Sequence, residues 1–158
     1  MKATLHNGTG LVELLRVCYR LPEDEREQYE AFAGRPYSAE ALAAALFAAP
    51  GPKWTVLAGE TPILVAGFQE LRAGVWQDWA VTTPEAWEMH WRSVTKFARR
   101  VMDEMLLGPA HRLQCISLAS RIHAHRWYRP LGLKLEGPLH AYGANQEDAL
   151  MFYRLRSP

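Results

Sequence analysis

His123 and His125 are the first candidates for chemistry in this sequence, because a neutral imidazole can bind a metal ion or carry a proton. They lie two residues apart in a segment that reads as a helix. Side chains at that spacing point in different directions, whereas an i, i+4 pair shares one face and can chelate one ion. The spacing therefore argues against a metal site.

Motifs for nucleophilic catalysis or nucleotide hydrolysis are absent. The sequence has no Gly-x-Ser-x-Gly elbow and no Gly-x-x-x-x-Gly-Lys-Ser/Thr loop, which argues against a hydrolase and against a nucleoside-triphosphatase. Cys18 and Cys115 are the two cysteines, and their separation suits neither a metal knuckle nor a disulfide scaffold. We expect both to be reduced, buried thiols in a cytoplasmic setting.

A basic cluster lies on the longest predicted helix. Its members are Arg92, Lys96, Arg99 and Arg100, and they stand off the apolar stripe of that helix. Two interpretations remain open: a solvated face whose stems cover apolar surface, or a local phosphate clamp. The net charge of +1 is too small to attract nucleic acid or an acidic membrane over a broad surface, so any polyanion site must be local.

The whole chain, residues 1–158, is expected to form one domain. Apolar residues make up 49% and charged residues 22%, which is enough apolar material for a core. The first residues lack the apolar run of a signal sequence, and no stretch approaches the roughly 20 apolar residues that cross a bilayer. We therefore expect neither export nor membrane insertion.

The pattern of apolar residues, caps and turns predicts strands and helices in a mixed order. Predicted strands are 2–6, 53–58, 63–71, 75–82, 113–119, 133–140 and 149–155. Predicted helices are 11–19, a segment from about 22 to 32 ended by Gly34, 41–48 capped by Ser38, 84–107 between Pro84 and Gly108, and 121–129 capped by Ser120. The middle of the chain is thus an antiparallel meander that leads into a long helix.

The run from His123 to Gly137, HAHRWYRPLGLKLEG, resembles the GNAT acetyltransferases. That family has a helix ending in a Tyr, here Tyr128, then a Leu-Gly-apolar turn and a strand carrying Glu-Gly. Ala124 stands where the family commonly has a small residue, and the upstream order of elements is similar. The resemblance implies an α/β (α+β) fold: a mixed, mainly antiparallel GNAT-like sheet flanked by helices, with extra N-terminal helices.

Three further segments resemble a narrower group, the small internal virion proteins of short-tailed bacteriophages and their prophage relatives. They are LPEDERE at 21–27, WAVTT at 79–83 and Tyr142-Gly143. This resemblance implies a virion-associated or assembly component, with phage virion proteins as partners, made in the host cytoplasm and carried in the virion.

The GNAT resemblance also implies an acetyl-CoA site between the fourth and fifth strands, with the diphosphate at the start of the following helix. The implied cofactor-binding residues are Val81, Thr82, Thr83, Arg92, Lys96 and Arg121. The chain departs from the family here, because no Gln/Arg-x-x-Gly-x-Gly/Ala loop follows Thr82. Pro84 donates no hydrogen bond, and Glu85 and Glu88 repel phosphate. Arg121 stands where many members have an Asn.

Three residues are candidates for catalysis. Tyr128 matches the Tyr that protonates the leaving thiolate in many GNAT enzymes, and its alternative role is to pack the helix onto the sheet. Asp78 and Glu70, on neighbouring strands, could deprotonate an attacking amine or could be surface carboxylates. The leading expectation is a phage protein with a degenerate acetyl-CoA site, and the alternative is an active N-acetyltransferase that modifies a host or phage amine.

Overall fold

The structure is a computed structural model that describes residues 1–158, in which seven strands form one sheet. The strands are β1 Ala3–Asn7, β2 Lys53–Ala58, β3 Thr61–Arg72, β4 Val75–Thr82, β5 Arg112–Leu118, β6 Lys134–Leu139 and β7 Ala149–Leu155. Their order across the sheet is β1-β2-β3-β4-β5-β7-β6. All neighbours are antiparallel except β4 and β5, which run parallel.

Six helices flank this sheet. They are α1 Leu11–Cys18, α2 Glu23–Ala33, α3 Ala39–Ala48, α4 Pro84–Glu88, α5 Trp91–Leu107 and α6 Ile122–Tyr128, followed by a 3-10 turn at Arg129–Leu131. None of them is both long enough and apolar enough to cross a membrane. The expected α/β fold, with a mainly antiparallel sheet and extra N-terminal helices, is confirmed.

Local signals explain most of the helix ends. Ser38 accepts a hydrogen bond from the amide of Ala41 at 3.1 Å, as an N-cap does. Gly34 ends α2 with a φ of 70°, a left-handed conformation that glycine adopts without strain. Ser120 does not cap α6, because the helix begins one residue later than expected, after Arg121. These ends agree with the predicted ones to within a few residues.

The predicted helix over 84–107 is wrong in one respect, because it is two helices. Its chain leaves helical geometry at Met89 and His90, where the φ angles are −118° and −130°. The break places α4 directly after β4 and leaves α5 to pack along the sheet. The spacing of apolar residues did not reveal the break between the two helices. Trp87 lies before the break and Val94 after it, and both contact the same buried cluster.

The helices divide between the two faces of the sheet. α1 and α3 pack on Val65 and Val81, whereas α5 packs on the opposite face against Phe68 and Leu113. Side chains alternate along a strand, so Trp76, which packs with the α5 cluster, and Asp78 share that face of β4.

β4 and β5 separate partway along their length. They pair only from Val75 to Gln77 on one strand and from Arg112 to Gln114 on the other, although β4 continues to Thr82 and β5 to Leu118. We call the gap between residues 78–82 and 115–118 the strand opening. The predicted proximity of these two strands is confirmed, and their separation leaves room for a site in the middle of the sheet.

Candidate functional site

A cavity of about 810 Å³ occupies the strand opening. Its walls are mostly apolar and come from both faces of the sheet: α5 and α6 on one side, and α2 and α3 on the other. That volume lies within the range of small-molecule sites, roughly 300–1,000 Å³. The cavity is therefore large enough to hold a ligand between the separated strands.

Asp78 lines this cavity from β4 and has an unusual environment. Its Oδ2 atom is buried and has no hydrogen-bond partner. Burial raises the pKa of the carboxyl from 3.8 to about 7, because an apolar surrounding disfavours the charged form. A carboxyl that titrates near neutrality can accept a proton from a bound group, which is what a general base requires.

Tyr128 lines the same cavity from the end of α6, with its ring against Phe152 at a centroid distance of 5.0 Å. Burial raises its pKa well above the usual value, the Cys115 thiol and the Asp78 carboxyl raise it further, and Arg121 opposes them. The phenol thus stays protonated at neutral pH. The structure places the candidate acid and one candidate base in one cavity.

His125 lies beside these groups. Its Nε2 atom is 3.1 Å from the Ser117 hydroxyl, and its ring packs on Phe152 at 5.0 Å. Burial lowers the pKa of His125, so the imidazole is neutral at physiological pH. No group of three or more potential metal ligands forms anywhere in the structure.

Helix α2 crosses the carboxyl ends of the two separated strands. The Thr82 amide at the end of β4 donates to Glu25 Oε1 at 3.2 Å, and the Thr82 hydroxyl donates to the other oxygen of the same carboxylate. On the other strand, the Leu118 amide donates to Gln28 Oε1 at 2.9 Å. α2 therefore engages one backbone donor on each edge of the strand opening, the amides of Thr82 and Leu118.

An ion pair fixes α2 to the start of α6. Arg121 Nε donates to Asp24 at 2.9 Å and its Nη1 atom donates to Gln28 at 3.2 Å, with only 12% of the Arg121 side chain exposed. His123 Nε2 lies 3.0 Å from the same Asp24 oxygen. The resemblance implied that Arg121 binds the cofactor, but in the structure its guanidinium contacts Asp24 and Gln28 of α2.

Two tryptophans meet on the α5 side of the strand opening. Trp87 of α4 and Trp127 of α6 contact edge to face at 4.8 Å. Trp87 Nε1 donates to the Thr82 hydroxyl at 2.9 Å, and Trp127 Nε1 donates to Thr95 Oγ1 of α5 at 2.8 Å. We call this contact the tryptophan pair; it bridges α4, α5 and α6 across the gap between them.

The start of α4 does not fit the diphosphate of acetyl-CoA. The Thr83 amide donates to Ile63 at 2.9 Å and the Ala86 amide donates to Thr83 at 3.1 Å, while Pro84 has no amide hydrogen. Glu85 is ion-paired with Arg20. Together with the Thr82–Glu25 contact, these bonds occupy the amides of Thr82, Thr83 and Ala86, which could otherwise hold phosphate at a helix start.

The remaining sequence candidates lie away from the cavity. Glu70 is exposed near the end of β3. Arg92 and Lys96 lie on the exposed face of α5, where the Arg92 guanidinium stacks over the Trp91 ring at 5.2 Å. Thr83 is buried beneath the sheet end, with its hydroxyl directed at the Ile63 carbonyl. Val81, Thr82 and Arg121 do line the cavity.

The sequence interpretation missed the residues that close the strand opening. In the sequence, Asp24 and Glu25 stand out only as part of the LPEDERE segment at the start of the predicted second helix, and Gln28 carries no signal. Their partners are 57 to 97 residues away, and no local period reports such contacts. Trp127 was likewise read only as part of the segment around Tyr128.

Comparison with protein-family models finds no match, and neither does comparison with curated proteins. The fold, in contrast, is similar to many solved structures. One is the ribosomal-protein-S18-alanine N-acetyltransferase from Escherichia coli, with a TM-score of 0.73 and 14% identity over 99% of this chain and 96% of that one.

Two other similar structures point to the same fold. A spermidine N-acetyltransferase variant from Vibrio cholerae has a TM-score of 0.72 at 17% identity, covering 98% of this chain and 95% of its own. A GNAT-family acetyltransferase from Streptococcus pneumoniae has a TM-score of 0.68 at 12% identity, covering 99% and 100%. At these identities the similarity establishes the GNAT acetyltransferase fold and leaves the activity open.

Proposed function

We propose that this GNAT-fold chain is a bacteriophage protein with a closed acetyl-CoA site, serving as a virion-associated or assembly component. The observation that carries the closed site is the set of internal hydrogen bonds made by the amides of residues 82, 83, 86 and 118. The phage assignment is supported by the resemblance of the segments at 21–27, 79–83 and 142–143. Its partners are phage virion proteins, reached from the host cytoplasm.

Two barriers oppose acetyl-CoA in this proposal. The first is electrostatic, because Glu25 and Glu85 stand where the diphosphate would need positive charge or free amides. The second is steric, because the tryptophan pair occupies the gap between α4, α5 and α6. Opening the site requires breaking the Thr82–Glu25 contact and separating the two indoles, so binding has to overcome both.

Calorimetry with acetyl-CoA tests the closed site. We expect no binding heat at millimolar cofactor, whereas a micromolar dissociation constant would contradict the closed site and favour an enzyme. Mass spectrometry of purified virions tests the assembly role: the protein is expected in the particle. Its absence from particles, together with acetyl transfer in infected-cell extracts, would reverse the proposal.

A second candidate function is an acyl-CoA-dependent N-acetyltransferase that modifies a host or phage amine. It is favoured by one observation: Asp78, with a pKa near 7, and Tyr128, which stays protonated, line one cavity. Asp78 would take a proton from the amine and Tyr128 would hold one at its hydroxyl. Acetyl transfer that depends on both residues would support this function over the first.

A further inference from the structure

The exposed face of α5 carries cations that no residue of the chain neutralises. We call them the basic row: Arg92, Lys96 and Arg99. They stand at i, i+4 and i+7, so they lie on one stripe of the helix, and none of them takes part in an ion pair. Further along α5, Arg100 pairs with Glu104. Asp103 pairs with Arg154. The unpaired positive charge is therefore concentrated in the first turns of α5.

The exposed side of α2 carries carboxylates at the same spacing. We call them the acidic row: Glu23, Glu27 and Glu30. They too stand at i, i+4 and i+7, and none of them forms an ion pair. Glu30 also accepts a hydrogen bond from the Tyr37 amide at 2.9 Å. Arg26 lies one turn from both ends of the row and offsets one of its charges, so the exposed side of α2 remains negative.

The two rows match in length as well as in charge. Each runs from i to i+7, which is about 10 Å along a helix axis. Within one chain they do not meet, because α5 packs on one face of the sheet while α2 crosses the ends of β4 and β5. A second copy of the chain supplies the complementary row that each one lacks. Nucleic acid fits less well, because the acidic row and the small net charge of +1 give no broad positive surface.

Trp91 adds an apolar group beside the basic row. Its side chain is 51% exposed, and the Arg92 guanidinium stacks over its ring at 5.2 Å. Exposed ion pairs contribute little each, so three of them need additional buried area to hold two copies together. Tryptophan and arginine are the residue types that contribute most at protein interfaces. The start of α5 therefore has both the charge and the apolar surface of a docking site.

We propose that copies of this chain associate head to tail, with the basic row of one copy on the acidic row of the next. Two different surfaces meet, so each contact leaves one row of each copy free to bind a further copy. Such growth suits an assembly component. It does not require a closed acetyl-CoA site or a phage origin, because it depends only on the two exposed rows.

Equilibrium sedimentation of the full chain tests the association. The protein is measured from about 10 µM to about 1 mM in roughly 0.02 M and roughly 0.5 M salt, because salt screens exposed charges. At low salt the average mass should rise with concentration to at least about twice the 17.9 kDa of one chain. At high salt it should fall back toward the mass of one chain.

Two charge-reversed variants test the rows themselves. One makes the basic row acidic and the other makes the acidic row basic: Arg92→Glu, Lys96→Glu and Arg99→Glu in the first, and Glu23→Lys, Glu27→Lys and Glu30→Lys in the second. Each variant alone has two rows of one sign and should stay monomeric. An equimolar mixture should associate again, because the reversed row of each variant is complementary to the reversed row of the other.

The matched control reverses three exposed cations elsewhere on the chain: Lys2→Glu, Arg72→Glu and Lys134→Glu. It changes the net charge as much as the reversed basic row does and should associate like the native chain. A control that stays monomeric at low salt would show that net charge, and not the two rows, drives association, and would overturn the proposal.

A native chain that stays monomeric at low salt up to about 1 mM would overturn the proposal, and this result does not depend on how the variants fold. A mixture of two folded variants that stays monomeric would overturn it as well. Binding of an oligothymidine of about 20 nucleotides to a monomeric native chain would assign the basic row to nucleic acid instead. None of these outcomes affects the acetyl-CoA titration or the search for the protein in virions.

Discussion

The environment of Asp78 in the fold disfavours the charged form of its carboxyl. One oxygen of its carboxyl, Oδ2, is buried without a partner, and the pKa of Asp78 is about 7 in the folded chain against 3.8 for the free side chain. Between those values the folded state binds more protons than the unfolded state. The free energy of unfolding therefore falls as the pH rises from about 4 to about 7. Above about pH 7 the stabilising effect of the protonated Asp78 carboxyl is lost.

Replacing Asp78 by Asn should remove this part of the pH dependence. Near pH 3 the variant and the native chain should have similar free energies of unfolding, because the Asp78 carboxyl is then protonated in both the folded and the unfolded state. At pH 8 the variant should be more stable by roughly 2–4 kcal/mol, which is the free energy of a pKa shift of this size. Urea unfolding at both pH values measures the difference.

Glu70→Gln is the matched control for that experiment, because Glu70 is an exposed carboxylate on the neighbouring strand. Its stability should change little at either pH. Glu25, whose pKa burial also raises to about 7, contributes to the pH dependence of both proteins and cancels in the comparison. An Asn variant that is no more stable than the native chain at pH 8 would show that Asp78 is solvated or paired.

Two substitutions of Tyr128 can distinguish a packing role from a catalytic role. Its ring contacts Phe152 and the α5-side core, so Tyr128→Ala should cost on the order of 3–5 kcal/mol through the cavity that it leaves. Tyr128→Phe keeps the ring and should leave thermal unfolding nearly unchanged. If the chain is an active transferase, the same Phe variant should lower turnover by roughly 10²–10⁴. Full activity in the Phe variant would remove Tyr128 as the acid.

At the scale of elements, α2 is the helix held most by polar contacts. Ala31 is its only buried residue, and its attachment to the strand opening depends on Asp24, Glu25 and Gln28. Local unfolding is easiest where little apolar surface is buried. α2 should therefore be the part of the site that opens first.

Asp24→Asn should weaken this attachment, because it removes the ion pair with Arg121 while keeping the shape of the side chain. We expect amide hydrogens of residues 23–33 to exchange several-fold faster while those of the central strands stay unchanged. Glu23→Gln, one residue earlier and exposed, is the control and should have no effect. Exchange that is equal in the two variants would show that the ion pair does not hold α2.

The same scale shows what sequence could and could not predict. Caps and turns set the ends of α2 and α3, and turns also set β2 and β4, because these signals act between residues close in the chain. The position of Glu25 on Thr82 depends on how α2 docks across the sheet, and no nearby residue encodes that. Asp78 was correctly placed on a strand, but its lack of a partner appears only when its surroundings are packed.

At the scale of the whole molecule, the chain combines a GNAT fold with a strand opening whose edges are contacted by the chain's own residues. The strands separate after Gln77 and Gln114, as a site between them requires. α2 and the tryptophan pair make contacts on the two sides of that separation, and the cavity lies between them. The resemblance predicted the fold from element order, and the absence of a glycine loop after Thr82 predicted the poor fit to diphosphate.

The central claim is that the protein itself occupies the amides at the edges of this opening, and hydrogen exchange at residues 82, 83, 86 and 118 tests it most directly. The amides of Thr82, Thr83, Ala86 and Leu118 are bonded within the protein, so they should exchange slowly in the free chain, and their exchange should not change when acetyl-CoA is added to millimolar concentration. Fast exchange of the Thr82, Thr83 and Leu118 amides in the free chain, with strong protection on addition of acetyl-CoA, would contradict the claim.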